Sequence, residues 1–370
     1  MSAGRKENKW VHRWLRTRKP TKVVLSQRKD STLISKRKQG MSKRAKIRGE
    51  KKQADTFAIA VVAPMSAGKS TLLNAMMGCR LLPSRSTACT AGVFTIVDKD
   101  GSSGFKVRAR RKDGRFTSWV KATTSRLSEI NDSGVIETEI EGDLTRIKNY
   151  RNAFRVAFID TPGPNNSCDS THADLFRKAL ASHKYAAIVV LLDASALHTT
   201  DEVAMLQDVH RFVLEKKGTA SVMFAINKID AFFRGGEGAR SVRDVVRDTQ
   251  EFLSEKCNFD NPVVVPLWSS LALDCRRLAS QNGENGFDED EADDFLLSFK
   301  KAKNHRREIE LALEDSGFKV MCDSQVRKEA MRCGDGEVNA ADISFVDMLS
   351  GVPFVERWAE NLMCEYFKNN

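Results

Sequence analysis

Three short stretches combine residue types that suit a nucleotide and its metal. The first is Ala63-Pro-Met-Ser-Ala-Gly-Lys-Ser70, a loop of small residues closing on a lysine and a hydroxyl. Such a loop offers backbone N–H groups to phosphate oxygens at a helix N-terminus, where the helix dipole favours negative charge. Met65, Ser66, Ala67, Gly68, Lys69, Ser70 and Thr71 are its phosphate-facing candidates. Lys69 would reach the β- and γ-phosphates, and the Ser70 hydroxyl would ligate Mg²⁺. Ala63 stands where the usual pattern has glycine, which is tolerable where the backbone needs no positive φ.

The second stretch, Phe154-Arg-Val-Ala-Phe-Ile-Asp160-Thr-Pro-Gly163, is an apolar run ending in an acid and a turn. A phosphate-binding fold needs a carboxylate there beside the metal (Asp160) and a backbone amide for the γ-phosphate (Gly163). The third is Val222-Met-Phe-Ala-Ile-Asn227-Lys-Ile-Asp230. Asp230 can accept two hydrogen bonds from guanine N1 and N2, an arrangement adenine cannot offer. Asn227 is expected at the N7 edge, with the Lys228 stem along the base. Without the paired donors a buried carboxylate stays unsatisfied, so discrimination against ATP should be large. The three occur in the order a guanine-nucleotide site requires, which makes GTP the expected substrate and Mg²⁺ the expected cofactor.

These groups need strand ends to hold them. Phe57–Val62 reads as a short buried strand, followed by the glycine-containing loop and a helix from Lys69. Further buried strands are expected at Phe154–Ile159, Ala186–Leu192, Ser221–Ile226 and Pro262–Pro266, with helices near 172–183, 201–216, 240–256 and 268–280. This alternation predicts an α/β fold, a P-loop NTPase G domain whose mostly parallel sheet is covered on both faces. Residues 92–141 break the rhythm: they read as β-rich and exposed, with turns at Asp100-Gly101 and Asp113-Gly114. Residues 283–295 read as a solvated acidic loop, followed by a charged helix over 296–313. Val355, Trp358, Ala359, Leu362, Met363 and Tyr366 mark an amphipathic helix docked on the body.

Charge divides the chain in two. Residues 1–52 hold 19 Lys+Arg against 3 Asp+Glu, while the remainder has 41 basic and 46 acidic residues. A mildly acidic body thus carries a basic arm that is too polar to fold alone. Trp10 and Trp14 lie among its cations. The arm suits a solvated tail, nucleic acid through stacking and phosphate contact, or an anionic membrane. No apolar run is long enough to span a bilayer, the start lacks a secretory apolar region, and the eight cysteines form no Cys-x-x-Cys pair. Free thiols and a cytoplasmic location are expected. The domain plan is a basic arm over 1–55, a G domain over 56–280, and an acidic loop with C-terminal helices over 281–370.

Ser66-Ala-Gly-Lys-Ser-Thr71 resembles the P-loop of the dynamin superfamily. Leu82-Pro83 followed by Thr90, and the 70-residue gap from Thr90 to Asp160, are similar to the enlarged switch region of that superfamily. The Asp160-Thr-Pro-Gly-Pro-Asn165 sequence resembles bacterial dynamin-like GTPases, especially the replication-fork clamp-binding type, and Val265-Pro-Leu-Trp-Ser-Ser-Leu-Ala resembles their guanine-contacting loop. The resemblance implies that Thr90 is the switch threonine, holding Mg²⁺ with Ser70 and the attacking water with Ser66 and Lys69. It also implies that Ser269 contacts guanine and that two G domains pair as a homodimer. A clamp-binding peptide is not recognisable: Gln53-Ala-Asp-Thr-Phe57 has only its ends.

Three departures qualify what the resemblance implies. Met65 replaces a water-placing glutamine of eukaryotic dynamins, and Pro164 follows the Asp-Thr-Pro-Gly turn where small G proteins place theirs. Slow basal hydrolysis, raised by pairing or a partner, is therefore expected. The alternative is a GTP-dependent binding module with negligible turnover that delivers the arm to nucleic acid. The third departure is the missing length for a helical stalk after the G domain, so a truncated or minimal member, or a stalk supplied by another chain, is expected.

Overall fold

The central parallel strands are largely apolar because helices must cover both of their faces. Ala187–Asp193 shows this most fully, with all seven residues buried. The computed structural model describes residues 55–83, 93–132, 135–144, 146–147, 154–161, 171–182, 185–216, 220–234, 240–280, 287–321 and 329–369. The basic arm, Thr90 and Gly163 lie outside them.

Five strands form the parallel half of a nine-stranded sheet: β1 (Asp55–Val62), β6 (Phe154–Asp160), β7 (Ala187–Asp193), β8 (Ser221–Asn227) and β9 (Val263–Leu267). Their order is β6-β1-β7-β8-β9, with Val61 beside Asp160 and Asp193 beside Asn227. This register brings the chemically active strand ends to one edge. The helices alternating with these strands are α1 (Lys69–Met77), α3 (Thr171–Ser182), α4 (Thr200–Glu215), α5 (Val242–Glu255) and α6 (Ser269–Ser280). The architecture is α/β, with a mostly parallel sheet.

The β-rich insertion extends this same sheet. β2 (Val93–Asp98) pairs antiparallel with β6; β5 (Glu137–Gly142) runs parallel to β2; β3 (Lys106–Arg110) and β4 (Val120–Lys121) complete the edge in antiparallel fashion. The two expected turns carry Gly101 at φ 72° and Gly114 at φ 82°. The expectation of an exposed segment holds for one face only. Along β5, Thr138, Ile140 and Gly142 are buried and the three glutamates between them are half-buried. Helix α2 (Thr124–Asp132) contributes the fully buried Leu127 to the core. Period-two burial is the mark of a sheet with one wet face.

The acidic stretch departs from the solvated loop expected at 283–295. Asp288 caps α7 (Glu289–Asn304), accepting from the Glu291 N–H at 2.9 Å. Glu289, Asp290 and Glu291 then occupy its first turn, where the dipole favours acids. Ala292 and Phe295 are buried, so packing holds a segment that composition alone assigns to solvent. His305 separates α7 from α8 (Arg306–Asp315), dividing what reads as one charged helix.

The remaining elements are a hairpin, β10 (Ala330–Cys333) and β11 (Gly336–Asn339), and helices α9 (Ala340–Leu349) and α10 (Val352–Asn369). α10 buries Val355, Trp358, Ala359 and Met363, as its spacing predicts. It is tied to the G-domain helices by a buried ion cluster. Arg276 of α6 donates to both Glu356 oxygens at 2.6 and 2.9 Å, to Asp347 at 3.1 Å, and to the Ala75 carbonyl of α1 at 2.8 Å. Cys79, Cys257, Cys275, Cys333 and Cys364 are free thiols. Among the described residues, no helix is long and apolar enough to cross a membrane.

Candidate functional site

The loop from Ala63 to Gly68 leaves β1 and turns into α1 through two left-handed residues, Ser66 at φ 64° and Gly68 at φ 91°. Ala63 is not among the positive-φ residues, which explains why a side chain is tolerated there. Its methyl group is buried. Ala67 is also buried, whereas Ser66 is exposed and Lys69, Ser70 and Thr71 are half-buried. Met65 is 48% exposed, an apolar side chain over the mouth of the loop.

Lys69 points across to β6. Its ammonium donates to the Thr161 carbonyl and lies 3.0 Å from Asp160 Oδ1. That carboxylate oxygen is buried and accepts no hydrogen bond among the described residues, its approach to Lys69 being electrostatic. A buried, under-satisfied carboxylate oxygen two elements from a serine hydroxyl suits a hydrated divalent cation. Ser70 stands in the first turn of α1, and Thr90 lies outside the described residues. Thr161 is fixed by its own hydroxyl, which donates to the Val61 carbonyl at 2.8 Å.

The base-side residues stand at the end of β8. Asn227 is buried, and both ends of its amide are used: Nδ2 donates to the Ala67 carbonyl at 2.9 Å and Oδ1 accepts from the Ser269 N–H at 3.1 Å. Sequence reasoning sets Asn227 at the guanine N7 edge. In the structure its amide braces the phosphate loop against the start of α6. Lys228 adopts φ 66°, and its ammonium lies 2.6 Å from Asp193. Asp230 opens a short 3₁₀ helix (Ile229–Arg234), half-buried. Ser269 is buried, and its hydroxyl has no hydrogen-bond partner among the described residues. Lys301 of α7 donates to the Asp230 carbonyl at 3.0 Å, so the C-terminal segment touches this loop directly.

Two contributors were not singled out in the sequence. Asp193 accepts from the Ser195 N–H at 2.9 Å, from its hydroxyl at 2.6 Å, and from Lys228. Burial alone would push its carboxyl up, but these partners outweigh that and hold it below the usual range. The available signal was an acid closing the strand next to β8. Asn74 of α1 is buried and accepts from the N–H groups of Leu81 and Leu82 at 3.0 and 2.8 Å while donating to the Leu82 carbonyl. It thereby fixes the Leu82-Pro83 segment that leads toward Thr90. No motif marks it, because only the return of the chain gives its amide partners.

A phosphate loop at the end of β1, an acid at the end of β6 and a base loop at the end of β8 define a P-loop G domain. Residues 59–228, a little under half of the chain, match the dynamin family model. No curated protein matches the sequence. Among solved structures, an oligomerised bacterial dynamin pair described as sensing and tethering membranes is 16% identical, with a TM-score of 0.44. That similarity covers 70% of this chain and 41% of the other, so the chain spans about two fifths of its length. Era in complex with MgGDPNP and a 16S ribosomal RNA segment is 17% identical at a TM-score of 0.33, covering 59% of this chain and 52% of Era. The G domain of the T. maritima FeoB iron transporter is 14% identical at a TM-score of 0.27, covering 58% and 88%.

Proposed function

We propose that this chain binds GTP with Mg²⁺ and hydrolyses it slowly to GDP and phosphate, with turnover raised when two G domains pair or another partner binds. The observation that carries this reading is the joint placement of Lys69, Asp160 and the Asn227–Asp230 loop at one sheet edge, braced through Asn227. Ser66, Ala67, Gly68, Lys69 and Thr71 hold the phosphates, together with the backbone at Met65 and Gly163. Asn227 meets the guanine N7 edge, Asp230 and Ser269 read the base, and the Lys228 stem lies along it. Ser70 and Thr90 hold the metal, with Asp160 behind them. When bound, Mg²⁺ neutralises charge on the β- and γ-phosphate oxygens. The chain's own part is positional: Lys69 faces the γ-phosphate, and Ser66 and Thr90 orient the attacking water.

Slow basal turnover follows from what surrounds the loop. Met65 is exposed but offers the water no hydrogen bond. That same feature favours the second reading, a GTP-dependent binding module that delivers the basic arm to nucleic acid. The domain plan proposed is an arm over 1–55, a G domain over 56–280 and a segment over 281–370 that completes it, in the cytoplasm. Clamp binding is not part of the proposal. GTP turnover measured against protein concentration, beside Lys69→Ala and Thr90→Ala, separates the readings. Rising specific activity in the wild type alone supports the enzyme. Equality with Lys69→Ala at every concentration leaves the binding module.

A further inference from the structure

The sheet insertion carries a second surface that the nucleotide site does not use. Residues 106–121 hold seven basic side chains against one acid, Asp113. β3 and β4 are the two outermost strands at their end of the sheet. Two of the arginines are neutralised from β5: Arg108 donates to Glu139 at 2.8 Å, and Arg110 lies 2.8 Å from Glu137. Arg111, Lys112 and Arg115 are exposed around the Asp113-Gly114 turn, and no carboxylate pairs with their side chains among the described residues. Concentrating like charge in this way costs self-repulsion that a polyanion relieves.

Aromatic rings interleave with these cations. The Arg108 guanidinium lies 4.2 Å from the Phe116 ring centre and 4.5 Å from that of Trp119, fixing both rings. Phe116 remains 41% exposed. The hairpin also lines a cavity of about 1000 Å³ through Lys106, Trp119 and Lys121; Met76 and Met77 of α1, Asp143 and Arg146 line it as well, and Arg146 is paired with Asp347. Lysines beside Trp119, Phe105 and two methionines suit an unstacked base attached to phosphates. A duplex keeps its bases stacked and cannot enter such a hollow.

We infer that the β3–β4 hairpin and this cavity bind single-stranded nucleic acid, phosphates along Lys106, Arg111, Lys112 and Arg115, and a base in the cavity. The site is distinct from the GTP site: it meets α1 at Met76 and Met77, the opposite end from Lys69. RNA and DNA share this chemistry, so both are used as probes.

The test is fluorescence anisotropy of labelled oligo(U) and oligo(dT) of about twenty nucleotides with the full chain, across a salt series. The triple variant Arg111→Gln/Lys112→Gln/Arg115→Gln changes only exposed side chains. It should lower the slope of log affinity against log salt by about 2, at roughly 0.7 per lost phosphate contact. Trp119→Leu should keep the slope and weaken binding roughly tenfold through lost stacking. Both effects should persist when Arg13, Arg16, Arg18 and Lys19 of the arm are changed to glutamine, which separates the hairpin from the arm. The inference is overturned if the triple variant keeps the wild-type slope, or if a duplex of the same sequence binds as tightly. It is also overturned if the triple variant loses binding only to phosphatidylglycerol vesicles, which would make the surface a membrane contact.

Discussion

A Cβ placed on Gly68 would stand 2.3 Å from Asn227 Nδ2, so the phosphate loop and the base loop are packed with no room for a side chain between them. Two constraints meet at Gly68: this approach and a φ of 91°. Gly68→Ala must displace Asn227 and strain its own backbone. Asn227→Ala leaves both the Ala67 carbonyl and the Ser269 N–H without their partner. Each lost buried hydrogen bond costs about 1–3 kcal/mol, so either variant should weaken GDP binding on the order of 100-fold. Titration with a fluorescent GDP analogue measures this, and wild-type affinity in Gly68→Ala would show that the close packing is dispensable.

The Arg276 cluster makes the C-terminal helices part of the folded body. Asp347 and Glu356 are each 1% exposed, and burial pushes the Glu356 carboxyl up while Arg276 opposes that shift. Arg276→Met removes the cation that both acids share; Asp347 keeps Arg146, but Glu356 is left buried without its cation, with an expected loss of about 3–5 kcal/mol. Changing Arg276, Asp347 and Glu356 together to apolar residues of similar volume should restore much of that loss. Urea unfolding of the two variants gives the comparison; equal losses would mean the cluster acts through packing rather than charge.

What could be read from the sequence follows from how local each feature is. Asp160 and Asn227 close short apolar strands and Lys69 follows one by a short loop, so each run and its chemical residue are visible in one window. The sheet insertion was legible as strands and turns but not as neighbours of β6, because β2, β5, β3 and β4 pair out of sequence order. Register across such a sheet is set by long-range pairing. Glu356 and Asp347 look like solvated charges in an amphipathic pattern, and only the arrival of Arg276, some 70 residues earlier, explains their burial. The hidden role of Asn227 has the same origin, since its partners Ala67 and Ser269 lie in other segments.

Glu202 gives the fold a pH dependence. It lies in the first turn of α4, is 1% exposed, and among the described residues neither carboxylate oxygen has a hydrogen-bond partner. Burial pushes its carboxyl up to about 7, a backbone contact at His198 works against the shift, and Asp193 adds to it. Because the folded state binds this proton more tightly than the unfolded chain, the associated stability is complete below about pH 4.5 and is lost as pH rises through about 7. Glu202→Gln keeps the shape without the charge. Its urea midpoint should exceed that of the wild type at pH 8 by roughly 1–3 kcal/mol of stability, with the gap closing toward pH 5. A gap independent of pH would remove Glu202 as the titrating group.

Met65 offers a gain of function that tests the mechanism more directly than any loss. Its side chain is exposed at the phosphate loop, so replacing it should cost little packing. A glutamine there would place an amide within reach of the water proposed to attack the γ-phosphate, the job its counterpart does where the loop carries one. Positioning of this kind acts on the transition state more than on ground-state binding. Met65→Gln should therefore raise the turnover number severalfold, up to roughly tenfold, with GDP affinity unchanged. With the pairing proposed above, the rise should be largest at high protein concentration. Steady-state GTP turnover across a dilution series is the measurement. A tighter GDP complex with unchanged turnover would mean that position 65 governs binding, and that water is placed elsewhere in the site.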